Sequence, residues 1–409
     1  MSFDSFPHPS RRSFLAFSAA TFAAAGIPRV ASASGARDPR LVVVILRGAL
    51  DGMSALGPIG DPDYAGLHGD LALRFSGDHA ALKLNDFFGL NPAMANFARL
   101  YNSKQALMVH AVASNYRDRS HFDGQDVLES GMPTPGQVQS GWLNRAIAAL
   151  PMGDKVDAPN GLAVGTTPPL VIRGAAPILG WAPTALAKPT EDLIARTMGI
   201  YSHVDPALAT ALREGFDAEA MATKDGMAGV KAVGAADIAA MRQAAEGAAR
   251  LMAADNGPRV AALAFDGWDT HANEGGATGR LAQLLGGLDQ AFAAFEKELG
   301  DKWKDTIVVA VTEFGRTARI NGTVGTDHGT ATVAFLAGGA VAGGRVVADW
   351  PGLKDADLYE GRDLKPTTDL RAVLKGVLAD HLGLPTQVLA QKVFPDTIGV
   401  APMAGLVAA

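Results

Sequence analysis

The side chains best able to hold a metal ion stand far apart along the chain: Asp51, Asp269 with His271, Glu313, and Asp327 with His328. Oxygen and imidazole-nitrogen donors of this kind suit a divalent cation. Carboxylates crowded on one edge without a counter-ion would repel and shift one another's pKa, and a cation relieves that repulsion. The donors suffice for one well-coordinated ion, or for two ions sharing carboxylates. Two ions about 4 Å apart would clamp the attacking and leaving oxygens of an in-line displacement on phosphorus or sulfur. Zn²⁺ accepts such mixed donors, whereas Mg²⁺, Ca²⁺ or Mn²⁺ suits a carboxylate-heavy subset.

A second constellation, Arg117-Asp118-Arg119-Ser120-His121, stands just before a stretch with helical spacing that runs to Glu129. Ser120 followed by a carboxylate three residues on reads as a capping-box variant. It reads equally as a nucleophile at a helix N-terminus, where free N–H groups and the dipole favour an anion. Ser120, His121, Arg119 and Arg316 are the candidate catalytic residues, with Arg117 a further candidate for gripping a phosphate or sulfate.

The elements that must position these groups are apolar runs. Leu41 to Leu46, Ala106 to Ala113, Val260 to Phe265, Thr306 to Val311 and Thr332 to Leu336 read as strands, continuous rather than alternating, as in a sheet covered on both faces. In open α/β sheets ligands bind beyond the carboxyl ends of the strands, where Asp51, Asp269 and Glu313 fall. Asp51-Gly52 is open to a second reading as turn chemistry or a helix cap. His110, inside a strand, reads as a core histidine. The stretch from Thr278 to about Leu299 has the apolar spacing of a helix packed on the sheet. A helical, Ala-rich region covers about 190–255 and holds no catalytic constellation. The paired glycines at 338–339 and 343–344 do not open a helix after a strand, which excludes a dinucleotide loop.

The chain has 409 residues, 48% hydrophobic and 19% charged, ample for one large α/β domain or two medium ones; with no internal repeat and no long low-complexity linker, one domain is favoured. With 36 Lys plus Arg against 42 acids, a formal charge of -6, it offers no electrostatic reason to bind nucleic acid or an anionic membrane. Cysteine is absent, so disulfides and thiolate ligands are excluded. Ser10-Arg11-Arg12-Ser13-Phe14-Leu15, the apolar stretch after it and Ala31-Ser32-Ala33 fit a twin-arginine export signal over 1–33. That apolar stretch is short of the ~20 residues a membrane span needs. The expectation is a periplasmic or secreted protein, exported through the twin-arginine machinery, with a single mature domain over 34–409 and no membrane span.

The segments R-G-A-L-D-G-M-S (47–54), R-S-H-F-D-G-Q-D (119–126), G-W-D-T-H-A-N (267–273), T-E-F-G-R-T (312–317), G-T-D-H-G (325–329) and G-G-R-V-V-A-D-W-P-G-L (343–353) resemble the exported family called domain of unknown function 1501. That family is similar to the alkaline phosphatase-like superfamily, which includes sulfatases. The resemblance implies a three-layer α/β/α fold around a mixed, mostly parallel sheet, and a metal centre for phospho- or sulfo-ester chemistry. It places Asp51 as the first-strand metal ligand, Asp269 and His271 as the Asp/His pair, and His328 as the late histidine. Phe314 follows Glu313 where the superfamily tends to have a histidine, with Asp327 as the compensating donor; Ser120 matches the nucleophile by its place on a helix after the second strand. The expected activity is hydrolysis of a small anionic ester. The alternative is an exported binding or assembly protein that keeps the fold and a reduced metal site without turnover.

Overall fold

The most apolar runs of the sequence become the middle of one sheet. The computed structural model describes residues 37–150, 161–183 and 238–408, with short helical pieces at 197–198, 201–202, 209–210, 212–215 and 221. The export segment expected at 1–33 and most of the helical region expected at 190–255 lie outside the described residues; within the latter, Ile238–Ala253 is a helix. Pro39–Ala409 forms one compact unit.

The strands in chain order are β1 (Arg40–Arg47), β2 (Leu56–Gly57), β3 (Leu82–Lys83), β4 (Gly89–Leu90), β5 (Ala106–Ala113), β6 (Gly161–Val164), β7 (Ile178–Trp181), β8 (Val260–Asp266), β9 (Thr306–Val311), β10 (Thr332–Ala337), β11 (Arg345–Val347) and β12 (Thr368–Asp369). Nine of them form a mixed sheet in the order β11-β5-β10-β9-β1-β8-β6-β7, with β12 paired to β5; β2, β4 and β3 form a small second sheet. β1 lies at the centre, parallel to β8 on one side and to β9 on the other. β10 alone among the long strands runs against its neighbours, antiparallel to β9 and β5.

β1 shows why the run is unbroken rather than alternating. Val42, Val44 and Leu46 face a core shared with Ile238–Ala253 and Arg280–Leu299. Leu41, Val43 and Ile45 face a core shared with Trp142–Ala149 and Leu370–Asp380. Successive side chains of a strand point to opposite faces, so a sheet covered by helices on both sides needs apolar residues at every position. Each such side chain contributes roughly 1.5–3 kcal/mol by leaving water. His110 is fully buried, its Nε2 3.0 Å from the Leu56 carbonyl, the core histidine its strand position predicts.

The direction of β10 matters for the site. The carboxyl ends of β1, β8 and β9 share one edge of the sheet, and the chain leaving β5 there enters the helix His121–Ser130. Because β10 starts at that edge, the loop before it arrives where the other strands finish.

Candidate metal centre

Three imidazoles and one carboxylate meet beyond the carboxyl ends of β1, β8 and β9. Asp269 Oδ1 lies 3.0 Å from His271 Nε2, 3.3 Å from His328 Nε2 and 3.4 Å from His121 Nε2. His328 Nε2 is 2.9 Å from both His121 Nε2 and His271 Nε2. His121, Asp269 and His328 offer ligand atoms all within 4.8 Å of one another, the one such group among the described residues. All four side chains are partly exposed, so a solute can reach them.

The far nitrogen of each ring decides what the near one can be. His121 Nδ1 is 2.8 Å from Glu313 Oε1, His271 Nδ1 is 3.2 Å from Asp327 Oδ1, and His328 Nδ1 is 2.9 Å from the Arg119 carbonyl. All three partners are acceptors, so each Nδ1 carries the proton and donates it. In the neutral rings every Nε2 then presents a lone pair, aimed at the other lone pairs and at a carboxylate. Such a convergence needs positive charge at its centre, and a metal cation held by nitrogens whose far N–H groups are fixed by carboxylates or carbonyls is the arrangement metal proteins use.

The two carboxylates behind the rings are held for that task. Burial alone would raise the Glu313 carboxyl, but hydrogen bonds from His121, Gln125 and Thr312 hold it below its usual range. Its Oε1 also accepts from the Gly48 amide at 2.9 Å. Asp327 is kept ionised the same way, with Asn321 and His271 outweighing burial. The hydrogen bond to Glu313 raises the His121 pKa, whereas burial and the charge of His121 lower that of His328. Glu313 and Asp327 thus orient His121 and His271 rather than adding to the converging donors, and His121, read from the sequence as catalytic, joins those donors.

Phe314, where a nitrogen ligand was missing from the resemblance, stacks on His121 with ring centroids 5.1 Å apart and also touches His328 at 5.4 Å. It packs under the imidazoles instead of ligating. Two glycines permit the close approach of the loops. A Cβ at Gly48, whose φ is +121, would meet the Asp269 amide at 2.4 Å, and one at Gly325 would meet the His271 carbonyl at 2.4 Å.

Asp51 is not brought to this group. It caps the short helix Gly52–Ala55, its Oδ1 accepting from the Met53 amide at 2.9 Å, and its Oδ2 lies 3.1 Å from His68 Nε2. The cap reading of Asp51-Gly52 describes it, with a buried partner added. Burial would raise the Asp51 carboxyl, yet the His68 charge holds it well below its usual range; burial would lower His68, yet Asp51 raises it. With His68 Nδ1 3.1 Å from the Ala318 carbonyl and Nε2 on Asp51, both ring nitrogens donate and the pair is ionic.

The arginines are committed as well. Arg119 pairs with Asp363 at 2.8 Å and Glu360 at 2.6 Å. Arg316, fully buried, donates from Nη1 to Asp269 Oδ1 at 2.8 Å and from Nε to Thr326 Oγ1 at 3.2 Å. These two position the site rather than offer a free grip. Arg362 is a more exposed cation at the rim, its Nη2 donating to the His328 carbonyl at 2.9 Å and its Nη1 3.4 Å from Asp363 Oδ1, with the side chain 41% exposed. Arg362 and His68 escaped the sequence reading because neither sits in a motif. Ser120 occupies the N-cap of its helix but makes no side-chain capping bond, and its amide donates to Tyr116 Oη at 3.3 Å.

Behind Arg316, the Thr326 hydroxyl donates to Glu274 Oε2 at 2.7 Å, while the buried Glu274 Oε1 has no partner. Burial, then the Asp51 charge, push this carboxyl from 4.5 up to about 8. Between those values the folded chain binds more protons than the unfolded one, so stability falls as pH rises through that window. Glu274→Gln is expected to remove this fall, gaining on the order of 3 kcal/mol at pH 9 relative to pH 5; denaturant melts at the two pH values check it, and parallel curves for the two proteins would refute it.

The family described as "Protein of unknown function (DUF1501)" matches residues 38–393. No curated protein matches. Among solved structures, the chain is similar to Ps i-CgsB in complex with k-i-k-neocarrahexaose, at 11% identity over 89% of this chain and 77% of that one, with a TM-score of 0.43. It is similar to the alkaline phosphatase from the Antarctic bacterium TAB5, at 14% identity over 76% and 94%, with a TM-score of 0.35. It is also similar to phosphonoacetate hydrolase from Sinorhizobium meliloti 1021 in complex with phosphonoformate, at 11% identity over 68% and 56%, with a TM-score of 0.31.

Proposed function

The chain belongs to the DUF1501 family, and from that premise we propose that it is an exported, metal-dependent hydrolase of phosphate or sulfate esters. The observation that carries the reading is the convergence of three imidazole Nε2 atoms on Asp269 Oδ1, with every Nδ1 engaged by an acceptor. His121, His271, His328 and Asp269 would hold the ion. Three nitrogens and one carboxylate favour Zn²⁺ over Mg²⁺ or Ca²⁺, which prefer all-oxygen sets. Bound there, the cation supplies Lewis acidity toward a phosphoryl or sulfuryl oxygen.

The protein's own groups do the rest. Ser120 follows Arg119, whose carbonyl holds His328, and precedes His121, so its backbone is tied to the centre on both sides. Its hydroxyl makes no capping bond and is the candidate nucleophile. The first amides of the His121–Ser130 helix have no intrahelical partner and favour an anion at this spot. Arg362 adds positive charge at the His328 rim. The twin-arginine pattern at residues 10–15 supports export to the periplasm or beyond.

A binding or assembly protein with one structural metal is the second reading, favoured by the engagement of Asp51 with His68 and by the single donor group among the described residues. Metal analysis of the mature protein, followed by assays on phosphomonoesters, phosphodiesters and sulfate esters with Zn²⁺, Mn²⁺ and Ca²⁺, separates the two. The hydrolase reading expects one divalent equivalent and metal-dependent turnover, with Ser120→Ala lowering kcat by at least about 100-fold. Bound metal with no turnover of any ester would establish the second reading. Turnover untouched by Ser120→Ala would keep the hydrolase and discard the serine.

A further inference from the structure

A cavity of about 210 Å³ opens at the same edge of the sheet, at the carboxyl ends of β1, β6 and β8. It neighbours the metal centre through three short links. Arg47, on its wall, accepts from the Trp268 amide through its carbonyl at 3.2 Å, and Gly48, the next residue, donates to Glu313, which holds His121. Asp266, also on its wall, is three residues from Asp269, so their Cα atoms are at most about 11 Å apart.

The floor is apolar and the mouth is polar. Val164, Leu263 and Ala244 are buried beneath it, while Thr166, Asp266 and Arg47 ring the opening. Arg47 gives its Nε and Nη2 to Glu129, and its Nη1 makes no hydrogen bond among the described residues. The exposed Asp266 carboxylate has no partner among the described residues either. Together Arg47, Glu129 and Asp266 carry one net negative charge, which disfavours the anionic half of an ester. Free acceptors and donors over an apolar floor suit a group that is hydroxylated on its edge and apolar on its face. The volume is below the roughly 300–1,000 Å³ of a drug-sized site, room for one ring.

Building on the hydrolase reading, we infer that this cavity receives the alcohol half of the substrate: one neutral, polyhydroxylated, ring-sized group such as a single sugar or cyclitol. Asp266 accepts from its hydroxyls, Arg47 Nη1 donates to them, and the ring face lies on Val164 and Leu263.

The test begins with ligand-detected NMR on the metal-loaded mature protein, using methyl glycosides of glucose, galactose and mannose, myo-inositol, and choline as the cationic alternative. At least one neutral polyol is expected to bind saturably. Ala244→Phe, which fills the floor, should abolish that binding, and Asp266→Ala at the exposed mouth should weaken it about tenfold. Binding of choline alone, of none of the probes, or of a polyol with equal affinity in wild type and Asp266→Ala would overturn the inference. A second arm compares hydrolysis of the phosphate ester of the bound polyol with that of p-nitrophenyl phosphate. Asp266→Ala should lower kcat/KM about tenfold for the former only. A polyol that binds, is lost in Ala244→Phe and is weakened in Asp266→Ala, in a protein that hydrolyses neither ester, would sink the hydrolase reading while leaving the cavity a polyol site.

Discussion

His328→Ala is expected to strip the metal from the protein and to abolish its ester hydrolysis. His328 Nε2 lies 2.9 Å from the Nε2 of both other imidazoles and 3.3 Å from Asp269, so its loss removes the nitrogen that adjoins every other donor and leaves two imidazoles and one carboxylate. Metal affinity should fall by at least about 100-fold, read by competition with a chelator, with kcat falling in parallel. The carboxylates behind the rings provide a graded control. Glu313→Gln and Asp327→Asn keep the donors but weaken the acceptors that fix His121 and His271, and each should cost about 10–100-fold in affinity. Equal metal content in wild type and His328→Ala would dismantle the proposed centre.

Asp51→Ala is expected to damage stability and to spare the metal. The Asp51–His68 pair is fully buried, and removing one partner leaves an uncompensated charge, a loss of about 3–5 kcal/mol. His68 can shed its proton in the variant, which sets the result toward the lower end. The Met53 amide loses its cap as well. Denaturant midpoints measure the destabilisation, and metal analysis on the same sample gives the stoichiometry. Loss of one metal equivalent in Asp51→Ala, with little change in the midpoint, would make Asp51 a ligand and restore a two-ion site.

The central strands were legible because both faces of this sheet are covered. Thr306–Val311 and Ala106–Ala113 match their expected bounds, since uninterrupted β-branched and apolar residues leave a short buried run little alternative. Leu170–Ile172, apolar enough to be read as a short strand, is a single 3-10 turn. Pro169 denies it a ladder donor, and three apolar residues carry no period that tells a turn from a strand. The cap of the helix Leu370–Asp380 is Asp369, whose carboxylate accepts from the Arg371 amide at 2.8 Å.

The donors themselves were visible by type: Asp269, His271, Glu313, Asp327 and His328 all stand within the converging loops. Their division of labour was not. Whether a carboxylate touches the ion or the far side of a histidine depends on a few ångströms of loop placement, which residue identity leaves open. His121 moved into the donor set, and Asp51 moved out to His68, a residue 17 positions away with no motif around it.

Residue types alone established a thiol-free chain with a sheet buried on both faces and with histidines and carboxylates suited to a cation. Tertiary structure decided which of them meet. The reversal of β10 delivers Asp327 and His328 to the edge where β1, β8 and β9 end, although they precede a strand instead of following one. Strand direction is set by how neighbouring strands pair and how their connections cross the sheet, an interaction between segments distant along the chain that no local pattern contains.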